Sequence, residues 1–198
     1  MAHIPADTRR EQFIDAAVRV IARDGAAGAT TRRIAEEANA PQASMHYCFQ
    51  TKENLLLAVF EHLSESLRTD SEGAAAEEAG LARTAERLLT RTMRYAVDHL
   101  DQTRATFAIA MWAQSTNPEL AVRMYGMFLT GWQDVLGSDR ETASNEEIAS
   151  VTRMVVTLAD GLSMQLLTDG DRDRTMRDTA NACVMLSTFV ETLLRRSA

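Results

Sequence analysis

Three residues with different base-reading abilities follow Pro41 without a gap. Gln42 can form a pair of hydrogen bonds with an adenine, and Ala43 can pack on the methyl group of a thymine. Ser44 comes next, still within the part of a helix that reaches base edges when the helix lies in a major groove. The three residues therefore predict direct contacts between one short helix and the base pairs of double-stranded DNA.

Two short helices joined by a tight turn must position these side chains, and residues 30–53 carry the signals for both. Thr30 is a good N-cap, because its hydroxyl can accept from the free amides of the next turn. Asn39 suits a left-handed residue just past the first helix, and Pro41 can open the second, where its missing N–H costs nothing. Three apolar residues at helical spacing lie on the first helix: Ile34, Ala35 and Ala38. This is the pattern of a helix-turn-helix whose second helix enters the major groove.

The start of the first short helix suits a phosphate group. Thr31 and Arg32 follow the N-cap Thr30, where free backbone amides and the positive end of the helix dipole favour an anion. We therefore expect these residues to contact the DNA backbone.

The rest of the chain is helical in pattern, so the predicted fold class is all-α. No stretch shows sustained strand alternation. Apolar periodicity predicts further helices over residues 8–24, 51–68, 81–100, 103–115, 118–136, 146–168 and 172–196. Gly25 is expected as a left-handed cap, followed by a turn of small residues at 26–29. Residues 71–80 are expected to form a flexible connection and residues 137–145 a loop.

The net charge of −7 is unevenly distributed along the 198 residues. Residues 1–55 carry seven Lys or Arg against seven Asp or Glu, whereas residues 56–198 carry fourteen against twenty-one. The part with the helix-turn-helix is therefore neutral, which implies few phosphate contacts and little non-specific affinity for DNA. Specific binding then requires two such parts acting together.

Other classes of protein find little support in the sequence. The phosphate-binding, dinucleotide-binding, serine-hydrolase and zinc-protease motifs are absent, and the four histidines have no metal-like spacing, so we expect no enzyme, cofactor or metal site. No apolar run is long enough to span a bilayer, and the N-terminus lacks the apolar core of a secretion signal. Cys48 and Cys183 form no C-x-x-C pair, which is typical of a cytoplasmic protein.

These residues carry a family resemblance. The run from Thr30 to Ala35 resembles the T-x-x-x-I-A signature of the TetR family of bacterial transcriptional regulators, and residues 51–55 resemble its Ser/Thr-Lys-Glu-x-Leu signature. An aromatic pair at His46 and Tyr47 and the phenylalanine at 49 complete the similarity over about residues 8–60. The chain departs from the usual pattern where Asn39 replaces a glycine, Pro41 a serine and His46 a tyrosine.

The resemblance implies roles for further residues. Tyr47 resembles the family's backbone-contacting aromatic, and Lys52, the only lysine in the chain, resembles its phosphate-gripping lysine. His46 is a further candidate for DNA contact. The alternatives are that Lys52 is merely solvated and that Tyr47 or His46 packs into the core.

The resemblance also implies two domains and a small-molecule effector. We expect a DNA-binding domain at residues 1–53 and an all-helical effector-binding and dimerisation domain at 54–198. Methionines beside large aromatics indicate a deformable apolar cavity, although each one alone fits a role in the core. The expected ligand-binding residues are Met93, Phe107, Met111, Trp112, Met124, Met127, Phe128, Trp132, Asp160 and Met164. A mostly apolar effector with a polar or cationic group near Asp160 is the corresponding prediction.

The last two predicted helices favour a homodimer. The final helix carries two apolar seams, so it needs partners on two sides, and a four-helix bundle across a two-fold axis supplies them. The alternative is an interior helix of a monomer. Together these features predict a dimeric repressor that effector binding releases from a palindromic operator. The alternative function is a DNA-binding regulator or architectural protein without a small-molecule ligand, controlled by a protein partner.

Overall fold

The computed structural model describes residues 5–71, 80–137 and 143–197, and within those residues the chain is helical with no strand. This confirms the predicted all-α class. The helices are α1 (Ala6–Gly28), α2 (Thr31–Glu37), α3 (Gln42–Phe49), α4 (Lys52–Ser71), α5 (Gly80–Asp98), α6 (Leu100–Thr116), α7 (Pro118–Leu136), α8 (Asn145–Asp169) and α9 (Arg172–Ser197). Most of the predicted connection at 71–80 and of the loop at 137–145 lies outside the described residues.

The predicted ends of the short helices are confirmed. The Thr30 hydroxyl accepts from the backbone N–H of Arg33 at 3.3 Å, and the Thr51 hydroxyl accepts from that of Asn54 at 3.1 Å. Asn39 has a φ of 49°, the left-handed conformation expected just past α2. Side-chain hydroxyls and one left-handed asparagine thus fix where α2 and α4 begin and where α2 ends.

The end of α1 differs from the prediction. Gly25 has the expected positive φ, 72°, but its ψ of 163° is extended, a region that only glycine adopts readily. Residues 26–28 then form a further helical turn rather than an irregular turn of small residues. The backbone therefore changes direction at Gly25 and resumes a helix. Carbonyls at a helix end occur both before Gly25 and at the end of the last turn, at Gly28.

The first of two compact units comprises Met1–Glu65 and Leu100–Tyr125. In it α1 packs along α6 and also contacts α2 and α3. The rings of Phe13 and Phe49 meet edge to face, with centroids 6.3 Å apart. The largest fully buried side chains of this unit are Phe13, Ile21, Ile34, Met45, Leu55, Leu56, Ile109 and Met124. Helices α1, α2, α3 and α6 thus share one apolar core.

The second unit comprises Ser66–His99 and Gly126–Ala198. Its helices α5, α8 and α9 each pack against the other two. The core side chains between them include Leu88, Leu89, Met93, Val151, Val155, Leu166, Leu186 and Val190. The division into DNA-binding and effector-binding domains after residue 53 stays a prediction, since compact packing alone does not assign a function to either part.

The packing of α9 revises the reasoning about its two seams. One predicted seam consists of Met176, Ala180, Cys183, Val190 and Leu194, and the other of Ala182, Leu186, Phe189 and Leu193. Val190 of the first and Ala182 and Leu186 of the second are buried within the single chain, where α9 contacts α5 as well as α8. The apolar side chains that stay exposed on the last two helices are Met164 on α8 and Val184 and Met185 on α9. A dimer surface on these helices would therefore use these residues rather than a whole seam.

In the part of the chain that the structure covers, no helix has both the length and the apolar character needed to cross a bilayer.

Gly25→Ala should destabilise the protein by about 1–3 kcal/mol, because a Cβ is strained at a φ of 72° with an extended ψ. Urea unfolding at a fixed protein concentration measures the effect. Gly126→Ala is the matched control: its helical backbone and open surroundings should give a gain of about 0.5–1 kcal/mol. Equal effects at the two glycines would contradict this account of α1.

Candidate nucleic-acid interface

Helix α3 has one buried side and one exposed side. Met45 and Phe49 are 1% and 3% exposed and fix the helix in the core. On the other side Gln42 and His46 are exposed, and Tyr47 is 84% exposed. Tyr47 and His46 are therefore surface residues and not core residues. An exposed aromatic beside polar side chains is the kind of surface that contacts a nucleic acid.

The front of α3 is joined to the front of α2. The Gln42 side-chain amide donates to the Thr31 hydroxyl at 3.2 Å, so these two predicted DNA-contacting residues are brought together. Ala43 beside them is exposed and Ser44 is half-buried. The hydrogen bond restricts the rotamers of Gln42 before any base is bound, while its carbonyl oxygen can still accept from an adenine amino group.

The residues of α2 that are candidates for phosphate contact form few interactions within the protein. The Thr30 hydroxyl caps α2, and Arg32 forms an exposed ion pair with Glu36 at 3.4 Å. An exposed pair of this kind contributes little to stability, so a phosphate can replace the carboxylate at small cost. Arg32 is thus available to the DNA backbone.

An ion-pair network holds α2 against α1. Glu37 accepts from Arg19 at 2.8 Å and from Arg23 at 3.4 Å. The hydrogen bond from Arg19, followed by that from Arg23, lowers the pKa of Glu37 below its usual value. The network uses two of the arginines near the helix-turn-helix for structure, which leaves fewer cations for DNA.

Lys52 has internal partners, so it is not simply solvated, and its contact with a phosphate stays a prediction. Its Nζ donates to the backbone carbonyl of Ala26 at 2.7 Å and to that of Ala27 at 3.3 Å. Desolvation lowers the pKa of Lys52, partly offset by the nearby charge of Glu53. An ammonium has three N–H donors, so one remains for a phosphate oxygen. Sequence reasoning missed this anchor, although the break at Gly25 signals unpaired carbonyls at the end of α1.

The same ammonium lies over an aromatic ring of α6. The Nζ of Lys52 is 5.5 Å from the centroid of the Trp112 ring, within the range of a cation–π contact. Trp112 is one of the predicted effector-binding residues. One side chain thus connects the start of α4, the end of α1 and a helix that carries part of the predicted effector group.

The ten predicted ligand-binding residues differ widely in burial and fall in both compact units. Met93, Met124 and Trp132 are at most 2% exposed and fill the core, as the alternative of core packing expects. Half-buried or exposed are Phe107, Met111, Trp112, Met127, Phe128, Asp160 and Met164. Phe128 stacks on Trp132 with ring centroids 4.7 Å apart. An effector role for this group stays a prediction.

Asp160 is the predicted polar member of that group, and its environment is unusual. Desolvation by surrounding protein atoms raises the pKa of its carboxyl to about 6, although the residue keeps some contact with solvent. The carboxyl group of this exposed residue is thus partly surrounded by protein atoms and partly in contact with water. Such a group gains from a bound cation that restores what solvation it has lost.

Across the described ranges, no group of three or more His, Cys, Asp or Glu side chains is placed to hold a metal ion.

Some matches to known proteins cover only the N-terminal part of the chain, and one covers most of it. Residues 13–59 match the profile of the bacterial regulatory proteins of the tetR family. The chain is also 30% identical over 165 residues to the HTH-type nicotine-responsive transcriptional repressor HdnoR of Paenarthrobacter nicotinovorans, over 81% of this chain and 84% of that protein. A shorter match, 39% over 66 residues, covers 33% of the chain and 34% of the HTH-type transcriptional regulator BetI of Brucella anthropi.

Solved structures show the same fold at low sequence identity. The fatty acid degradation regulator FadR from Bacillus halodurans superposes with a TM-score of 0.73 at 17% identity, over 94% of this chain and 97% of that one. The multidrug binding protein EbrR complexed with imidazole superposes with a TM-score of 0.67 at 21% identity, over 91% and 94%. The all-helical fold with an N-terminal helix-turn-helix is thereby established along nearly the whole chain.

Lys52→Met should lower the free energy of unfolding by about 1–3 kcal/mol, because the buried Ala26 carbonyl loses its charged donor. Arg32→Met removes an equal charge from an exposed pair and should stay within about 0.5 kcal/mol of the parent. Urea unfolding of both variants at one protein concentration makes the comparison. Equal, small losses would mean that Lys52 does not anchor α1.

Proposed function

Because this chain belongs to the tetR family of bacterial regulatory proteins, we propose that it is a dimeric cytoplasmic repressor of transcription. In this proposal it binds a palindromic operator through α3 and leaves it when a small, mostly apolar effector binds. The members of its family and its relatives are transcriptional regulators. This chain is likewise a DNA-binding transcriptional regulator and not an enzyme. The exposed side of α3, with Tyr47 84% exposed, is the observation that supports a DNA-reading role most strongly.

The proposed division of labour on DNA follows from side-chain chemistry. Gln42 and Ala43 read bases, with Ser44 beside them. The backbone contacts come from Thr30, Thr31, Arg32, His46, Tyr47 and the remaining donor of Lys52. With no net charge on residues 1–55, one such surface binds weakly, which is why the proposal requires two.

The proposed dimer uses the last two helices. Met164, Val184 and Met185 are 48%, 68% and 66% exposed on α8 and α9, and burying such side chains is favourable. A two-fold axis beside these helices would place the same residues on both sides of the interface. The two α3 helices must then lie about 34–36 Å apart to read half-sites one helical turn apart.

The proposed effector is an apolar molecule that carries a cationic amine. Asp160, whose carboxyl is partly desolvated, would face the cation, while methionine and aromatic side chains of the same compact unit would contact the apolar part. The similar repressor from Paenarthrobacter nicotinovorans supports this chemistry, since it is nicotine-responsive. Nicotine is a nitrogen base with apolar ring faces.

The proposed release mechanism is a population shift carried by α6. Phe107, Met111 and Trp112 lie on this helix, which packs along α1 within the unit that contains α3. Any movement of Trp112 would change the surroundings of Lys52 and hence the junction of α1 with α4. Because operator binding needs a fixed separation of two α3 helices, a shift of a few Å abolishes it.

Gln42→Ala should reduce discrimination at one base step of each half-site by about 1–3 kcal/mol, because its paired hydrogen bonds to a base are lost. Tyr47→Ala should instead weaken binding to operator and unrelated duplexes by a similar factor, since backbone contacts carry no sequence information. Fluorescence anisotropy with operator variants measures both. Equal losses on operator and unrelated DNA for Gln42→Ala would overturn its base-reading role.

Asp160 should make the binding of an apolar cation depend on pH. Benzyltrimethylammonium is a suitable probe because its charge is permanent. Its affinity should rise as the pH passes upward through about 6, where Asp160 ionises. Isothermal titration calorimetry at several pH values measures this.

Asp160→Asn should bind the same probe more weakly and without this pH dependence. Asp134→Asn, which changes an exposed carboxylate on α7, should behave as the parent. The raised pKa also makes stability depend on pH. Between about pH 4 and pH 6 the carboxyl of Asp160 is protonated in the folded protein but ionised in the unfolded one, so the free energy of unfolding falls as the pH rises through this range. An unchanged pH profile of probe binding in Asp160→Asn would contradict the proposed role.

A further inference from the structure

Helix α5 carries a row of arginines on the side away from its core. Arg83, Arg87, Arg91 and Arg94 are spaced by four, four and three residues, which places them on one face of the helix. The buried positions of α5, among them Leu88 and the other core leucines, lie on a different face. These four arginines outnumber the two carboxylates of α5, Glu86 and Asp98, although the chain as a whole has a net charge of −7.

The arginine row forms one wall of a groove between α5 and α9 within the second compact unit. The groove has a volume of about 610 Å³. Its lining residues are Arg83, Glu86, Arg87, Thr90, Arg91, Arg94, Ala180, Cys183 and Val184. Cys183 lies at the junction of the two helices, with its Sγ 3.5 Å from the Thr90 hydroxyl oxygen and 3.6 Å from the Glu86 carbonyl oxygen. The groove thus has a cationic wall and a small apolar side formed by α9.

Arg87 has a partner in the structure, whereas the charges of the other three arginines in this wall are not paired with a described carboxylate. Among the described residues, Arg83 and Arg94 have no ion pair or hydrogen bond, and the guanidinium of Arg91 donates to a neutral group, the backbone carbonyl of Asp70, at 2.8 Å. Glu86 is the one carboxylate of the lining. Like charges three or four residues apart on a helix destabilise it, so the row costs stability unless an anion lies beside it.

We propose that the groove between α5 and α9 binds a small molecule with two or more phosphate or carboxylate groups. Guanidinium groups pair with the two oxygens of such an anion through parallel hydrogen bonds, which makes arginine better suited to it than lysine. Thr90 supplies a hydroxyl, and Ala180 and Val184 offer an apolar surface for the rest of the ligand. This ligand differs in charge from the cationic effector proposed above, so the groove is a second, independent site.

The arginines lie outside the dimer surface proposed above. All four lie on α5, whereas the dimer surface proposed above uses α8 and α9. Val184 belongs to both, at the edge where the groove meets the exposed side of α9. The test therefore changes arginines of α5 only and uses the full chain in its native oligomeric state.

The experiment measures the binding of two probes, inorganic pyrophosphate and citrate, by isothermal titration calorimetry at low ionic strength. Sodium chloride of matched ionic strength controls for screening. The two probes distinguish a preference for phosphate from one for carboxylate. We expect the parent to bind at least one of them and Arg83→Gln/Arg94→Gln to bind it at least about tenfold more weakly, since each lost charge-assisted pair is worth about that factor.

Arg123→Gln/Arg172→Gln is the matched control, because it removes two exposed arginines from α7 and α9 and changes the net charge equally. It should keep the parent's affinity for the probes. If both double variants bound the probes equally more weakly than the parent, the loss would come from net charge alone, and the proposed anion site would be wrong. Failure of the parent to bind either probe would overturn it as well. Loss of duplex DNA binding in Arg83→Gln/Arg94→Gln, without binding of either small anion by the parent, would assign the arginines to nucleic acid instead.

Discussion

The contact of the Lys52 ammonium with the carbonyls of Ala26 and Ala27 is the interaction on which the DNA-reading part depends. Gly25 interrupts α1 and leaves helix-terminal carbonyls without donors, and Lys52 at the start of α4 supplies one. The same ammonium touches the ring of Trp112 on α6. A single cation therefore joins three helices around the base of the helix-turn-helix. A movement of α6 would change the contacts of Lys52 at the start of α4.

Charge is distributed so that affinity for DNA comes from geometry more than from electrostatic attraction. Several arginines of the first unit are paired, such as Arg19 and Arg23 with Glu37, so that they fix α2 on α1 instead of contacting phosphates. The exposed face of α3 is polar and aromatic but nearly uncharged. We therefore expect little affinity for unrelated DNA, and in the proposed dimer discrimination would depend on two α3 helices held at the correct separation.

Local chemistry made the fold of the N-terminal part predictable. Thr30, Asn39 and Thr51 act through hydrogen bonds and backbone angles within a few residues, so their roles follow from the sequence next to them. The partners of Lys52 are 25 and 26 residues away in sequence, and no local pattern indicates them. The arginine row on α5 was present in the sequence, but only the packing of α9 beside it makes a groove.

The effector group was the least predictable part for a physical reason. Methionine and tryptophan serve equally well in a close-packed core and on the wall of a cavity, and Met93 and Trp132 are in fact buried. Residue type alone does not separate the two roles. Asp160 is more informative, because a carboxyl group with a pKa of about 6 has lost water that a ligand can replace.

Selection of bound sequences from a random pool of duplex DNA by the full-length protein tests the central claim most directly. The account predicts enrichment of an inverted repeat whose half-sites are about 10–10.5 base pairs apart, centre to centre, or a multiple of that spacing. Within each half-site, the step that faces Gln42 should show the strongest preference for adenine. Enrichment of a single half-site without symmetry, or no enrichment at all, would contradict a dimeric reader of a palindromic operator.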